Sequence, residues 1–217
     1  MRLAVNFLVL AGWLSAQPPV ETGNFLRSDL VEIQSLDSTI HLDIRYATAD
    51  NFLGRAVYKE ARAFLQRPAA EALVRVQRRL RPLGYGLLIH DGYRPWSVTK
   101  EFWDATPQNK RDFVADPATG SRHNRGCAVD LTLYDLRTGK AVVMPSEYDE
   151  MTARAYPGYT GGTAEQRRLR DLLRRAMEAE GFAVFHVEWW HFDYKDWRRY
   201  RIENVSFEEL MLSPAAR

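Results

Sequence analysis

The stretch from Cys127 to Tyr134 constrains this chain more than any other. Cys127, Val129, Leu131 and Leu133 alternate with Ala128, Asp130, Thr132 and Tyr134. Period-two alternation is the pattern of a strand with one face in the core. It places Asp130 on the face away from the main apolar set, where a polar cleft can lie. The preceding residues, Ser121-Arg122-His123-Asn124-Arg125-Gly126, are mostly polar. Gly126 can supply a turn that brings His123 over the end of the strand carrying Asp130. Far downstream stands a second cluster, Glu188-Trp189-Trp190-His191. Together the two offer two imidazoles and two carboxylates, enough for three metal ligands and one general base.

The other segments read as scaffold or substrate pocket. Leu36 to Tyr46 alternates, with Ile40, Leu42 and Ile44 apolar, and predicts a strand. Gln66-Arg67-Pro68 opens a helix whose stripe is Ala69, Leu73, Val76 and Leu80, closed by Pro82 and Gly84. Tyr85 to His90 is a short apolar strand running into the turn Asp91-Gly92-Tyr93-Arg94-Pro95. Ser97 is expected to cap a helix through Trp103, and Thr106 to Gly120 reads as a polar excursion. Arg137 to Lys140 is a hairpin-type turn. Thr163 and Gln166 form a capping box for a long helix with Leu169, Leu172, Leu173 and Ala176 inward, ended by Gly181. Phe182 to Glu188 is expected as the last strand, with Val184, His186 and Glu188 on one side.

Composition narrows the function classes. A chain of 217 residues with 46% hydrophobic content supports one domain with a substantial core. A net charge of +2, with acids and bases interspersed, argues against nucleic acid as the main partner. Cys127, the one cysteine, excludes an internal disulfide and sits in an apolar alternation, as a small buried hydrophobe does. Residues 1–16 read as a secretory leader: Arg2, an apolar run from Leu3 to Leu14, then Ser15-Ala16 before Gln17. The run is too short for a comfortable membrane span. The leader predicts export, to the periplasm, with a single domain over residues 17–217. The alternative is an N-terminal helix docked on the domain, which would leave the protein in the cytoplasm.

A catalytic zinc wants three protein ligands and an open fourth position. His123 and Asp130 are seven apart, an odd spacing that one continuous strand would split between faces. The turn at Gly126 removes that conflict. Glu188 and His191 are three apart, and a helical turn or bulge after Glu188 would put both on one side. By spacing alone such pairs are common, and a histidine is more often a structural hydrogen-bonder than a ligand.

The pattern Ser-x-His-x-x-Gly-x-Ala-x-Asp over Ser121–Asp130, followed by Glu-Trp-Trp-His over Glu188–His191, resembles the D-Ala-D-Ala dipeptidases. These VanX-type zinc metallopeptidases are related in fold to D,D-carboxypeptidases and the hedgehog signalling domain. The resemblance runs from about Leu42 to Phe192. It takes in Asp43 to Phe52, Gly84 to Leu88, Asp91 to Pro95 and Asp130 to Tyr134. It implies that His123, Asp130 and His191 hold one zinc ion, that Glu188 is the general base, and that Arg94 stabilises the transition state. Ser146-Glu147-Tyr148-Asp149 is similar to the region whose aspartate meets the substrate's amino end. That makes Asp149 the expected ammonium partner, with Tyr46 and Ser121 lining the pocket and Asp91 steering Arg94 or a ligand.

The elements and the resemblance together predict an α+β domain, with a central, mostly antiparallel sheet flanked by helices. The expected reaction is hydrolysis of a D-alanyl-D-alanine dipeptide in cell-wall peptide turnover. Two rivals stand beside it: a D,D-carboxypeptidase acting on longer stem peptides, and a non-catalytic zinc-bearing wall-binding domain. A structural zinc needs neither Glu188 nor Arg94, which argues against the second. Bland readings also remain for single residues. Arg94 could be a surface ion pair, Asp149 a solvated loop acid, and Trp189 and Trp190 core aromatics rather than pocket walls. His41, His90 and His186 are read as structural.

Overall fold

A computed structural model describes residues 17–212, so the leader expected at residues 1–16 lies outside the described residues. In chain order the elements are β1 (Leu30–Glu32), α1 (Ile33–Leu36), β2 (His41–Leu42), β3 (Phe64–Gln66), α2 (Arg67–Leu80) and β4 (Tyr85–Asp91). They continue with α3 (Trp96–Ala105), β5 (Ala128–Asp135), α4 (Ala164–Glu178), β6 (Phe182–Phe185), β7 (Glu188–Tyr194) and α5 (Phe207–Leu212). The main sheet has the order β2-β4-β5-β7-β6, and β1 pairs with β3 in a separate ribbon. Every pairing is antiparallel except β2 with β4, which meet through His41 and Leu42. This is the expected α+β architecture.

The core forms where the patterns place it. On β5, Val129, Leu131 and Leu133 are fully buried, as is Cys127 just before it. Helix α2 buries Ala69, Leu73, Val76 and Leu80 on one stripe. Gln77 on that face is buried too, and its side chain accepts from the Leu87 N–H at 2.8 Å. That bond ties α2 to the middle of β4. Helix α4 starts at a complete capping box of Thr163 and Gln166, and buries Leu169 and Leu173. Both helices pack against the sheet.

Four local expectations are corrected. The strand over Leu36–Tyr46 shrinks to His41–Leu42, because α1 occupies its start and a 3-10 turn at Arg45–Ala47 ends it. Ile40 and Ile44 still point inward, and the turn carries Tyr46 into the interior. The strand expected over Phe182–Glu188 is instead a hairpin: β6 ends at Phe185 and Glu188 opens β7. No Gly or Pro marks that reversal, so it left no turn signal. Helix α3 begins at Trp96 after Pro95, without a serine cap. The Ser97 N–H instead donates to Asn204 Oδ1 at 2.8 Å. Finally, the turn at Arg137–Lys140 exists, but its return arm makes only an isolated bridge, Tyr134 to Ala141.

Candidate active site

Three strands of the sheet bring their residues into one row. Asp91 on β4 is paired with Asp130 on β5, and Asp130 with His191 on β7. Directly paired residues have Cβ atoms about 5 Å apart, so strand register alone delivers Asp130 and His191 to one spot. His123 arrives from outside the sheet. A 3-10 turn at His123–Arg125 ends on Gly126, whose φ of 65° is left-handed. The left-handed backbone there favours glycine, and a Cβ would also press on the Leu30 side chain. The His123 carbonyl accepts from the Arg94 N–H at 3.1 Å, fixing the turn over the end of β4.

The three side chains converge tightly. His123 Nε2 lies 3.1 Å from His191 Nδ1 and 3.3 Å from Asp130 Oδ1, and His191 Nδ1 lies 3.0 Å from Asp130 Oδ1. The far nitrogen of each ring decides which atoms carry protons. His123 Nδ1 is 2.6 Å from the Gly92 carbonyl, which can only accept. His191 Nε2 is 2.9 Å from Asp193 Oδ1. Each far nitrogen therefore donates, so that in the neutral imidazole the near nitrogen is the one left with a lone pair. Asp130 Oδ1 is buried and has no hydrogen-bond donor. Three lone pairs thus face a common centre from the corners of a triangle. Tetrahedral ligands at zinc distances of 2.0–2.1 Å stand about 3.3 Å apart, so the donor set fits a cation of that kind. A proton is the competitor. Burial opposes charge on His191, but Asp193 and Asp130 outweigh it and raise the imidazole to about 10. Burial also works against the Asp130 carboxylate, yet His123 and His191 hold it well below its usual range.

Two further charged groups stand beside this triad, Glu188 next to His191 and Arg94 next to Asp130. Glu188 Oε2 is 3.8 Å from His191 Nδ1, outside the triad but beside it. The bulge that places it there is visible in the register: Val184 pairs with Phe192, yet Phe185 pairs with Glu188. Burial pushes Glu188 up to about 8 against the opposing pull of His191. Arg94 is buried, with its guanidinium carbon 4.6 Å from the centre of the Phe102 ring. Its Nε and Nη2 both reach Asp91 Oδ2 at 2.8 Å, and Nη2 stands 3.7 Å from Asp130 Oδ2. Asp91 is itself fixed through its other oxygen by the Tyr58 hydroxyl and the Gly92 N–H, each at 2.9 Å. So Arg94 is no surface ion pair; it is aimed at the triad by a buried carboxylate.

The remaining candidates share the same cleft. Tyr46, Ser121, Asp149, Arg94 and Glu188 all line it together with the triad. The Tyr46 hydroxyl donates to Asp149 Oδ2 at 2.7 Å. Asp149 has a φ of 59°, and among the described residues no other non-glycine has a positive φ. Strain of that kind collects at functional sites. Burial pushes the Asp149 carboxyl up to about 7, with the Tyr46 hydroxyl pulling it down. Ser121 Oγ accepts from the His123 N–H at 3.2 Å, so it also supports the turn.

The D-ala-D-ala dipeptidase family matches residues 27–208. The chain is 34% identical to the D-alanyl-D-alanine dipeptidase of Escherichia coli over 76% of its own length and 84% of that protein. It is 38% identical to the Enterococcus faecalis enzyme of the same name, over 72% of this chain and 88% of that one. This chain belongs to the D-Ala-D-Ala dipeptidase family. Among solved structures, an LdcB LD-carboxypeptidase overlays at a TM-score of 0.46 with 20% identity, covering 80% of this chain and 71% of that one.

Within this dipeptidase-family chain, supporting groups that the sequence did not single out stand behind the candidates. Asp193 backs His191, and Arg122 Nε stands 3.6 Å behind it at Asp193 Oδ2. The signal was present, since residues two apart on a strand share a face. Tyr58 backs Asp91, and no sequence signal links those positions. The excursion at Thr106–Gly120 also reaches the site, where Asp112, Phe113, Val114 and Ala115 line the cleft. Other residues drop out. Trp189 and Trp190 are buried core aromatics outside the cleft lining, so they do not wall it. His186 is exposed in the β6–β7 turn rather than beside Glu188. His41 stacks on Tyr134 and His90 on Tyr148, as structural residues do. Cys127 is fully buried and burial raises its thiol to about 12, in keeping with its reading as a small core hydrophobe.

Proposed function

We propose that this peptidase is a zinc-dependent D-alanyl-D-alanine dipeptidase with one zinc per chain. One observation carries the reading: three lone pairs from His123, Asp130 and His191 meet at one buried point, flanked by Glu188 and a buried Arg94. The likeness to D-alanyl-D-alanine dipeptidases over most of the chain supports the substrate.

A zinc ion at that point would supply Lewis acidity to water and to the scissile carbonyl. Glu188, in its ionised form, takes the proton of the attacking water and delivers it to the departing amine, and a cation held by the triad beside it would favour that ionised form. Arg94 offers its free guanidinium N–H groups to the developing oxyanion. Because Asp91 already orients it, no reorganisation is needed when charge appears. Asp149, held by Tyr46, accepts the substrate ammonium. A buried carboxylate in the cleft rewards a free amino end, which favours a dipeptide over a longer stem peptide.

We place the reaction in cell-wall peptide turnover outside the cytoplasm, on the strength of the leader-like residues 1–16. The decisive assay offers the zinc-loaded protein D-alanyl-D-alanine and a pentapeptide stem ending in the same pair. Free D-alanine should come from the dipeptide at the far higher kcat/KM. Preference for the pentapeptide would assign a D,D-carboxypeptidase instead.

A further inference from the structure

Tyr148 stands beside Asp149 in sequence, and none of the steps above employs it. Its hydroxyl lies 3.1 Å from Asp130 Oδ2. The other oxygen of that carboxylate, Oδ1, faces the two imidazole nitrogens and takes no hydrogen bond. The two oxygens therefore have different surroundings. The guanidinium of Arg94, at 3.7 Å from Oδ2, is too far to replace the phenol as a direct donor.

The phenol is held firmly where it is. Tyr148 is buried, stacked on His90 at 4.4 Å between ring centres, and edged by Trp190 at 5.7 Å and Tyr46 at 6.1 Å. His90 is anchored in turn, with Nδ1 3.3 Å from the Asp43 carbonyl. An extended chain sends consecutive side chains to opposite sides. The left-handed backbone at Asp149 instead lets both neighbours serve the site, Tyr148 at Asp130 and Asp149 at Tyr46.

We propose that Tyr148 is a positioning residue that occupies Asp130 Oδ2 and so restricts Asp130 to gripping the metal through Oδ1 alone. A carboxylate free to bind through both oxygens would crowd the fourth position, which catalysis needs open. The inference rests on the metallopeptidase reading. It also makes the loop at Ser146–Asp149 a shared support for the metal ligand and for the ammonium site.

The test compares the wild-type protein with Tyr148→Phe, which keeps the ring stacking and loses only the hydroxyl. Zinc affinity is measured by chelator competition, and cobalt-substituted protein is examined by visible absorption. Thermal melting of both proteins in chelator reports the scaffold. Tyr148→Phe should bind zinc roughly ten-fold more weakly. Its cobalt bands should also lose intensity as the ion moves from four toward five ligands, while the melt in chelator stays unchanged. Wild-type zinc affinity and an unaltered cobalt spectrum in the variant would overturn this inference alone. So would a loss of affinity matched by a lowered melt in chelator, because that marks a packing role. Failure of the wild-type protein to bind zinc would overturn the metallopeptidase reading, and the inference with it.

Discussion

The floor and the wall of the cleft are built differently. The floor is sheet: Asp130 and His191 sit on neighbouring strands whose register sets their spacing, and Asp91, buried on the next strand, holds Arg94. The wall is loop: Tyr46 comes from a 3-10 turn, Asp149 from a loop with left-handed backbone, and Ser121 from the approach to the His123 turn. Asp130, Glu188 and His191 sit on paired strands, which hold side chains to a few tenths of an ångström. His123 and Arg94 come from turns tied to each other through the Arg94 N–H and the His123 carbonyl. The recognising groups need a shape that suits one ligand, and loops supply that at the cost of local strain. The contrast separates two kinds of damage. Changes to the floor should alter the chemical step or metal binding, and changes to the wall should alter substrate affinity.

The largest effect expected from this contrast is at Glu188. Replacing it with alanine should lower kcat about a thousand-fold, leaving KM little changed. Arg94→Ala comes next. Loss of an oxyanion partner should cost about a hundred-fold in kcat, and Arg94→Lys should recover little, because a lysine cannot form the same fork with Asp91. If either variant acted mainly through KM, the division between floor and wall would fail.

Asp193→Asn sharpens the account of the floor. It retains the shape but weakens the grip on His191 Nε2, so zinc affinity should fall roughly ten- to a hundred-fold. Competition against a chelator measures it directly. On the wall, Asp149→Asn should raise KM about ten-fold with kcat nearly intact, since a hydrogen bond to a charged partner contributes about 1.5 kcal/mol. The pH dependence follows in sign. Asp149 must be ionised to hold an ammonium, and its carboxyl is raised to about 7. KM should therefore climb as pH falls below about 7, and Asp149→Asn should flatten that limb of the profile. A wild-type KM flat from pH 8 to pH 5.5 would remove Asp149 from substrate binding.

The smallest effect serves as a control. Thr163→Ala breaks the capping box of α4 and should cost about 1 kcal/mol of stability. Chemical denaturation reads the loss, and kcat/KM should not move.

How much of this was legible in the sequence follows the same division. Alternation at Cys127–Tyr134 announced β5, and it placed Asp130 on the right face. The odd spacing from His123 to Asp130 demanded a turn, and Gly126 supplies it. The capping box at Thr163 and the stripe of α2 are local patterns, and both appear as written. Long-range facts were harder. That Glu188 opens a new strand depends on a hairpin with no Gly or Pro to mark it. That Tyr58 supports Asp91, or Tyr148 Asp130, depends on loops whose paths are set by tertiary packing rather than by propensity. Tyr46 and Asp149 were named only through the family resemblance, since a lone tyrosine and a loop acid carry no pattern of their own.

The central claim is that His123, Asp130 and His191 grip one metal while Glu188 stands outside it. Zinc titration of the Glu188→Ala and His191→Ala proteins side by side tests it most directly. The account predicts one tightly bound zinc per chain in Glu188→Ala and none retained by His191→Ala. Equal loss of zinc from both proteins, or equal retention by both, would contradict it.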